Sequence, residues 1–134
     1  MSLTLSEDQQ MIRTQVRNLA DRFPLEYWRE RDATKTYPQD FLQAMAEAGW
    51  LGVVIPEAYG GAGLGITEAC LVLHEICASG AGTTGCSPVH FAMFLPMPVV
   101  KYGTEERKQW LLPGIASGET TLGLRITEPH AGRD

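Results

Sequence analysis

Apolar residues recur along most of this chain at three- and four-residue steps, and that period restricts it to a fold made of packed helices. Ile12, Val16, Leu19 and Phe23 paint one face of a first helix. Ser6 and Gln9 are spaced as a capping box, and Glu7 and Asp8 suit the positive end of the helix dipole. This helix is predicted to end at Pro24. From Glu26 to Lys35, a charged stretch carrying Tyr27 and Trp28 fits either a further short helix or a wrapped loop. Pro38 opens the next helix from a first-turn position, with Phe41, Leu42, Met45 and Ala48 on one side and Gly49 as its stop.

Trp50 to Pro56 is apolar but too short for periodicity to classify, and Gly60 to Gly65 is glycine-rich. A third helix is expected from about Thr67 to Ser79, with Ala69, Cys70, Leu73, Ile76 and Cys77 facing inward. A fourth covers Ser87 to Leu95, and a short one surrounds Val99 to Tyr102. Thr104, Glu105 and Glu106 begin another, disturbed at its end by Pro113 and Gly114. Only Thr120 to Ile126 alternates as a strand would. The expected fold class is all-α, with residues 1–118 as one helical domain and 119–134 as the first strand and turn of a further, β-rich domain.

Composition removes several function classes. A chain of 134 residues, 44% hydrophobic, has material for one core and is not a disordered tract. A net charge of −5, with its 11 Lys and Arg scattered, argues against a nucleic-acid partner. No apolar run approaches the roughly 18 residues of a membrane span. The three cysteines form no CxxC spacing, so they read as reduced thiols in a cytoplasmic chain without a targeting leader.

Four features could carry chemistry. Gly61, Gly63 and Gly65 give GxGxG, which departs from the dinucleotide fingerprint GxGxxG and lacks its strand-turn-helix setting, so a flexible turn is the better reading. Cys70, His74 and Cys77 share a helical face, but seven residues of helix span roughly 10 Å, too far for both thiols to hold one ion. Buried thiols on a packed face are expected instead, and no metal site. Ser87 and His90 are one turn apart without the elbow a serine nucleophile needs. The fourth feature is the string Leu124 to Asp134, a strand running into Glu128-Pro129 and then Ala131-Gly132. Its free backbone groups and the Thr127 hydroxyl could meet a planar heteroaromatic ligand, although an ordinary strand-to-loop corner explains it as well.

Ile126-Thr127-Glu128-Pro129-x-Ala131-Gly132-x-Asp134 resembles the first signature of the acyl-CoA dehydrogenase family. Further segments agree in order: Leu5 to Gln9, Ala48 to Gly52, Ile55 to Gly61, Tyr102 to Lys108 and Leu112 to Glu119. The resemblance implies a larger FAD-dependent enzyme with an N-terminal helical domain, a β-domain and a C-terminal four-helix bundle. Such an enzyme oxidises an acyl-CoA thioester to the trans-2-enoyl-CoA in fatty acid β-oxidation. A Glu in the last bundle takes the α-proton, flavin N5 takes the β-hydride, and an electron-transferring flavoprotein accepts the electrons. By this resemblance no catalytic residue lies in this chain. Leu124, Ile126, Thr127, Gly132 and Arg133 match flavin-binding positions, Thr127 at the isoalloxazine edge. Ser87, Pro88, Phe91 and Leu95 match the helix lining the acyl pocket, where the bulk of Phe91 would limit chain length. Arg125 and Arg133 stand where the family has small residues.

The resulting expectation is the front third of a homo-oligomeric (dimeric or tetrameric) flavoenzyme, inactive by itself. The alternatives are a stand-alone helical interaction module and one subunit of a heteromeric dehydrogenase.

Overall fold

The computed structural model describes residues 4–124, and every described regular element is helical. Seven α-helices follow one another: α1 (Glu7–Ala20), α2 (Leu25–Thr34), α3 (Gln39–Glu47), α4 (Ile66–Ile76), α5 (Gly82–Phe94), α6 (Met97–Tyr102) and α7 (Glu105–Ala116). The Ser6 Oγ accepts from the Gln9 N–H and the Gln9 side chain accepts from the Ser6 N–H, which is the expected capping box. Helix α1 stops at Ala20, four residues before Pro24, and Pro24 instead caps the start of α2. The ambiguous stretch from Glu26 to Lys35 is therefore helical, and it ends where Lys35 adopts a left-handed conformation at φ 53°.

What makes α2 fold is an aromatic anchor rather than a long apolar stripe. Trp28 is only 2% exposed, and its indole N–H donates to the Phe23 carbonyl at 3.0 Å. Its ring meets Phe41 at 4.9 Å and Tyr27 at 5.0 Å, both edge to face. Helix α5 passes close behind that ring at Gly85, where a Cβ would sit 2.8 Å from the indole. Glycine here is a packing requirement. Helix α5 also starts at Gly82, five residues before the expected Ser87, and it runs through Pro88. Helix α7 likewise continues through Pro113 and Gly114 to Ala116.

Trp50 to Pro56 becomes a single 3₁₀ turn (Trp50–Gly52) and further turns. Its Leu51, Val53 and Ile55 are each buried to 2% exposure or less. The glycine-rich loop folds back onto this segment. Ala62, Gly63 and Leu64 donate N–H groups to the carbonyls of Gly52, Ile55 and Val53 at 2.8–2.9 Å. The loop is a tethered turn, not the flexible one expected, because glycine lets its backbone close on another backbone. A Cβ on Gly61 would collide with the Ile55 carbonyl.

Burial divides into two clusters. The larger gathers Val16, Trp28, Phe41, Met45, Val72, Ile76 and Val89 from α1 to α5. The smaller holds Ile55, Leu112, Ile115 and Ala116 beneath α7. Residues 120–124 form neither helix nor strand; the remainder of the predicted strand lies outside the described residues. No helix among the described residues is long and apolar enough to cross a membrane.

Candidate functional site

Helix α5 carries the candidate site. Phe91 follows Ser87 by four residues and Pro88 by three, which sets it on a shared face with each of them. They line a cavity of about 120 Å³ closed by Tyr37, Leu42, Leu51 and Ala92 and by the segment Gly118, Thr120, Thr121 and Leu122. Pro88, Leu42 and Leu51 are buried, while Phe91 is 43% exposed and stands at the opening. Leu95 is half-buried and does not line this cavity; it lies a turn beyond Phe91, at the α5 exit.

The chemistry available here is that of a binding wall. Among the described residues Tyr37 is the one titratable group lining the cavity, and partial burial pushes its hydroxyl above the ordinary tyrosine value, so it remains a neutral donor. No carboxylate or imidazole lines the cavity among the described residues. Ser87 and His90 are not brought together as a nucleophile and base. Ser87 lines the cavity, whereas His90 lines a separate apolar groove and stacks on Phe94 at 5.3 Å.

That groove, of about 300 Å³, runs between the start of α4 and the end of α5 and includes Leu64, Ile66, Leu73, Met93 and Met97. Sequence reasoning missed it. It also missed Tyr37, which lies between α2 and α3 and reaches the cavity through tertiary folding.

Two expectations about α4 need correction. Cys70 and Cys77 are exposed, not buried on the packed face. The inward face is instead Ala69, Val72, Glu75 and Ile76, so the helix is rotated by about one residue from the predicted orientation. The buried face includes Glu75, a carboxylate only 3% exposed. It accepts from Arg13 Nε at 2.6 Å and Arg17 Nη2 at 2.7 Å, and it lies 3.1 Å from His74 Nδ1. His74 is thus spent on a carboxylate, and no group of three metal-ligating side chains exists among the described residues.

Of the predicted flavin positions, Leu124 is 48% exposed and lines neither the cavity nor the groove. Ile126, Thr127, Gly132 and Arg133 lie outside the described residues, as does Arg125.

Known proteins share this architecture. The acyl-CoA dehydrogenase N-terminal domain profile matches residues 6–119. The protein named Probable acyl-CoA dehydrogenase YngJ, from Bacillus subtilis, is 33% identical over the whole chain, which covers 35% of it. A short-chain-specific acyl-CoA dehydrogenase of Clostridium acetobutylicum is 30% identical, again over 100% of this chain and 35% of its own. Among solved structures, a glutaryl-coenzyme A dehydrogenase in complex with glutaryl-CoA superposes with a TM-score of 0.88 at 29% identity, over 98% of this chain and 34% of that one. The chain spans about a third of the length of the curated relatives it matches. With the profile covering nearly all of the described helices, the chain belongs to the acyl-CoA dehydrogenase family, of which it carries the N-terminal helical domain.

Proposed function

We propose that this chain forms the helical wall of an acyl-CoA dehydrogenase active site and that the cavity under α5 receives the far end of the acyl chain. One observation carries the reading: Ser87, Pro88 and Phe91, matched to the family's acyl pocket by sequence, converge with Tyr37, Leu42 and Leu51 on one apolar cavity. Apolar walls suit an alkyl tail, and Phe91 at the opening limits the length admitted. The whole enzyme in this reading oxidises an acyl-CoA thioester to the trans-2-enoyl-CoA, with bound FAD as hydride acceptor. Electrons pass to an electron-transferring flavoprotein, and the enzyme is a cytoplasmic homo-oligomer of fatty acid β-oxidation. Residues 1–118 are its first domain, and 119–134 lead into the next.

Within that scheme the described residues exclude water and fix the tail, so that a base supplied outside this chain meets the α-carbon at a set depth. In this reading most flavin contacts belong to the domains that follow the helical third, as the resemblance to the family implies. Purified by itself, the 134-residue chain is therefore expected to show no stoichiometric flavin absorbance, and a bound flavin in that spectrum contradicts this division of labour.

The positive test is a chimera. Residues 1–124 replace the corresponding third of the Clostridium short-chain enzyme, and bleaching of its flavin is followed with acyl-CoAs of increasing length. Bleaching is expected, with Phe91→Ala moving the preferred substrate to longer chains. A chimera that holds flavin yet is bleached by no acyl-CoA, or is indifferent to Phe91→Ala, sinks the proposal.

A further inference from the structure

The junction between α4 and α5 holds two thiols that the site does not use. Cys77 closes α4, and a π-helical turn over residues 77–81 leads directly into α5, whose fifth residue is Cys86. Gly80 at φ 100° and Gly82 at φ 54° reverse the chain there, a path open to glycine at little cost. The reversal lays the Cys77 sulfur 3.8 Å from the Gly82 carbonyl oxygen. Gly82 precedes Cys86 by four residues, so it stands one turn below Cys86 on the same face. Helical side chains lean toward the N-terminus, which directs the Cys86 sulfur down toward the same spot.

The protonation behaviour of Cys86 agrees. Burial, together with a hydrogen bond to Cys77, pushes its thiol up to about 11. Exposure divides the pair: Cys77 is open to solvent and Cys86 is half-buried. Cys70 sits on α4, seven residues and thus roughly 10 Å of helix from Cys77, outside bonding range.

We propose that Cys77 and Cys86 are an oxidisable dithiol that a hydroperoxide closes to an intramolecular disulfide across the α4–α5 junction. The exposed Cys77 thiolate attacks one peroxide oxygen, the O–O bond breaks, and hydroxide leaves, making Cys77 a sulfenic acid. The Cys86 sulfur then attacks the Cys77 sulfur. An S–S bond forms, the S–O bond breaks, and the departing hydroxide takes the Cys86 proton as water. With hydrogen peroxide, two electrons leave the thiols and two waters form for each disulfide. Ser87 follows Cys86 directly, so the bridge fixes to α4 the helix that lines the cavity.

The test treats the 134-residue chain with equimolar hydrogen peroxide, alkylates remaining thiols, and maps peptides without reductant. The expected product joins Cys77 to Cys86, leaves Cys70 alkylated and reopens with dithiothreitol. Cys77→Ser and Cys86→Ser each abolish it, whereas Cys70→Ser retains it. In Cys86→Ser, the stranded Cys77 sulfenic acid is expected to be captured by dimedone. An unreacted Cys77, a sulfinic end product in the parent chain, or a bridge to Cys70 or to a second chain overturns the proposal.

Discussion

Glu75 is the one buried charged residue among those described. Its carboxylate ties α4 to α1 through Arg13 and Arg17, and a neutral amide in its place offers one accepting oxygen for two guanidinium groups and no charge to hold them. Burial raises the pKa of such a group, but donation from Arg13, His74 and Arg17 outweighs it and holds Glu75 below the ordinary carboxylate range. A depressed value means that Glu75 stabilises the folded chain fully above the ordinary carboxylate range and loses that contribution as the pH falls from there through its own lower folded value. Glu75→Gln is therefore expected to cost about 1–3 kcal/mol near neutral pH. In urea melts, the gap between variant and parent should narrow once the solution is acid enough to protonate Glu75; a constant gap contradicts this account. Gly61→Ala acts by another route. Its methyl must displace the Ile55 carbonyl, and overpacking of this kind costs about 1–3 kcal/mol, read as a lowered thermal midpoint.

Among the helices, capping explains both what the sequence disclosed and what it hid. The box at Ser6 and Gln9 was legible because it is a local pattern of fixed spacing, and it is present. Its extension was not legible. Gln9 also donates to Glu68 at 2.8 Å, and Glu68 accepts from the Gly65 N–H at 3.1 Å, so the starts of α1 and α4 are joined across 59 residues. Ser6→Ala is expected to lose about 1 kcal/mol by denaturant titration, the usual worth of an N-cap. Periodicity placed most helices but misjudged the starts of α5 and the face of α4. Gly82 to Cys86 carries no helical stripe, and Cys70 and Cys77 resemble core residues until a buried carboxylate claims the inward face. Ser87, Pro88 and Phe91 were singled out only through the family resemblance, whereas Tyr37, Leu42 and Leu51 reach the cavity through long-range folding that spacing does not encode.

At the scale of the whole molecule, apolar surface remains uncovered: Ile66 and Tyr102 are each 76% exposed and Trp110 is 79% exposed. The two buried clusters have a consequence for how the chain comes apart. Ile55, Leu112, Ile115 and Ala116 hold α7 with far less apolar material than binds α1 to α5. Segments anchored so lightly open on their own, well before the rest of a domain gives way. Deuterium uptake followed by mass spectrometry should thus report early labelling of amides in α6 and α7, while α1 and α4 stay protected until global unfolding. Simultaneous labelling of all four helices would refute it.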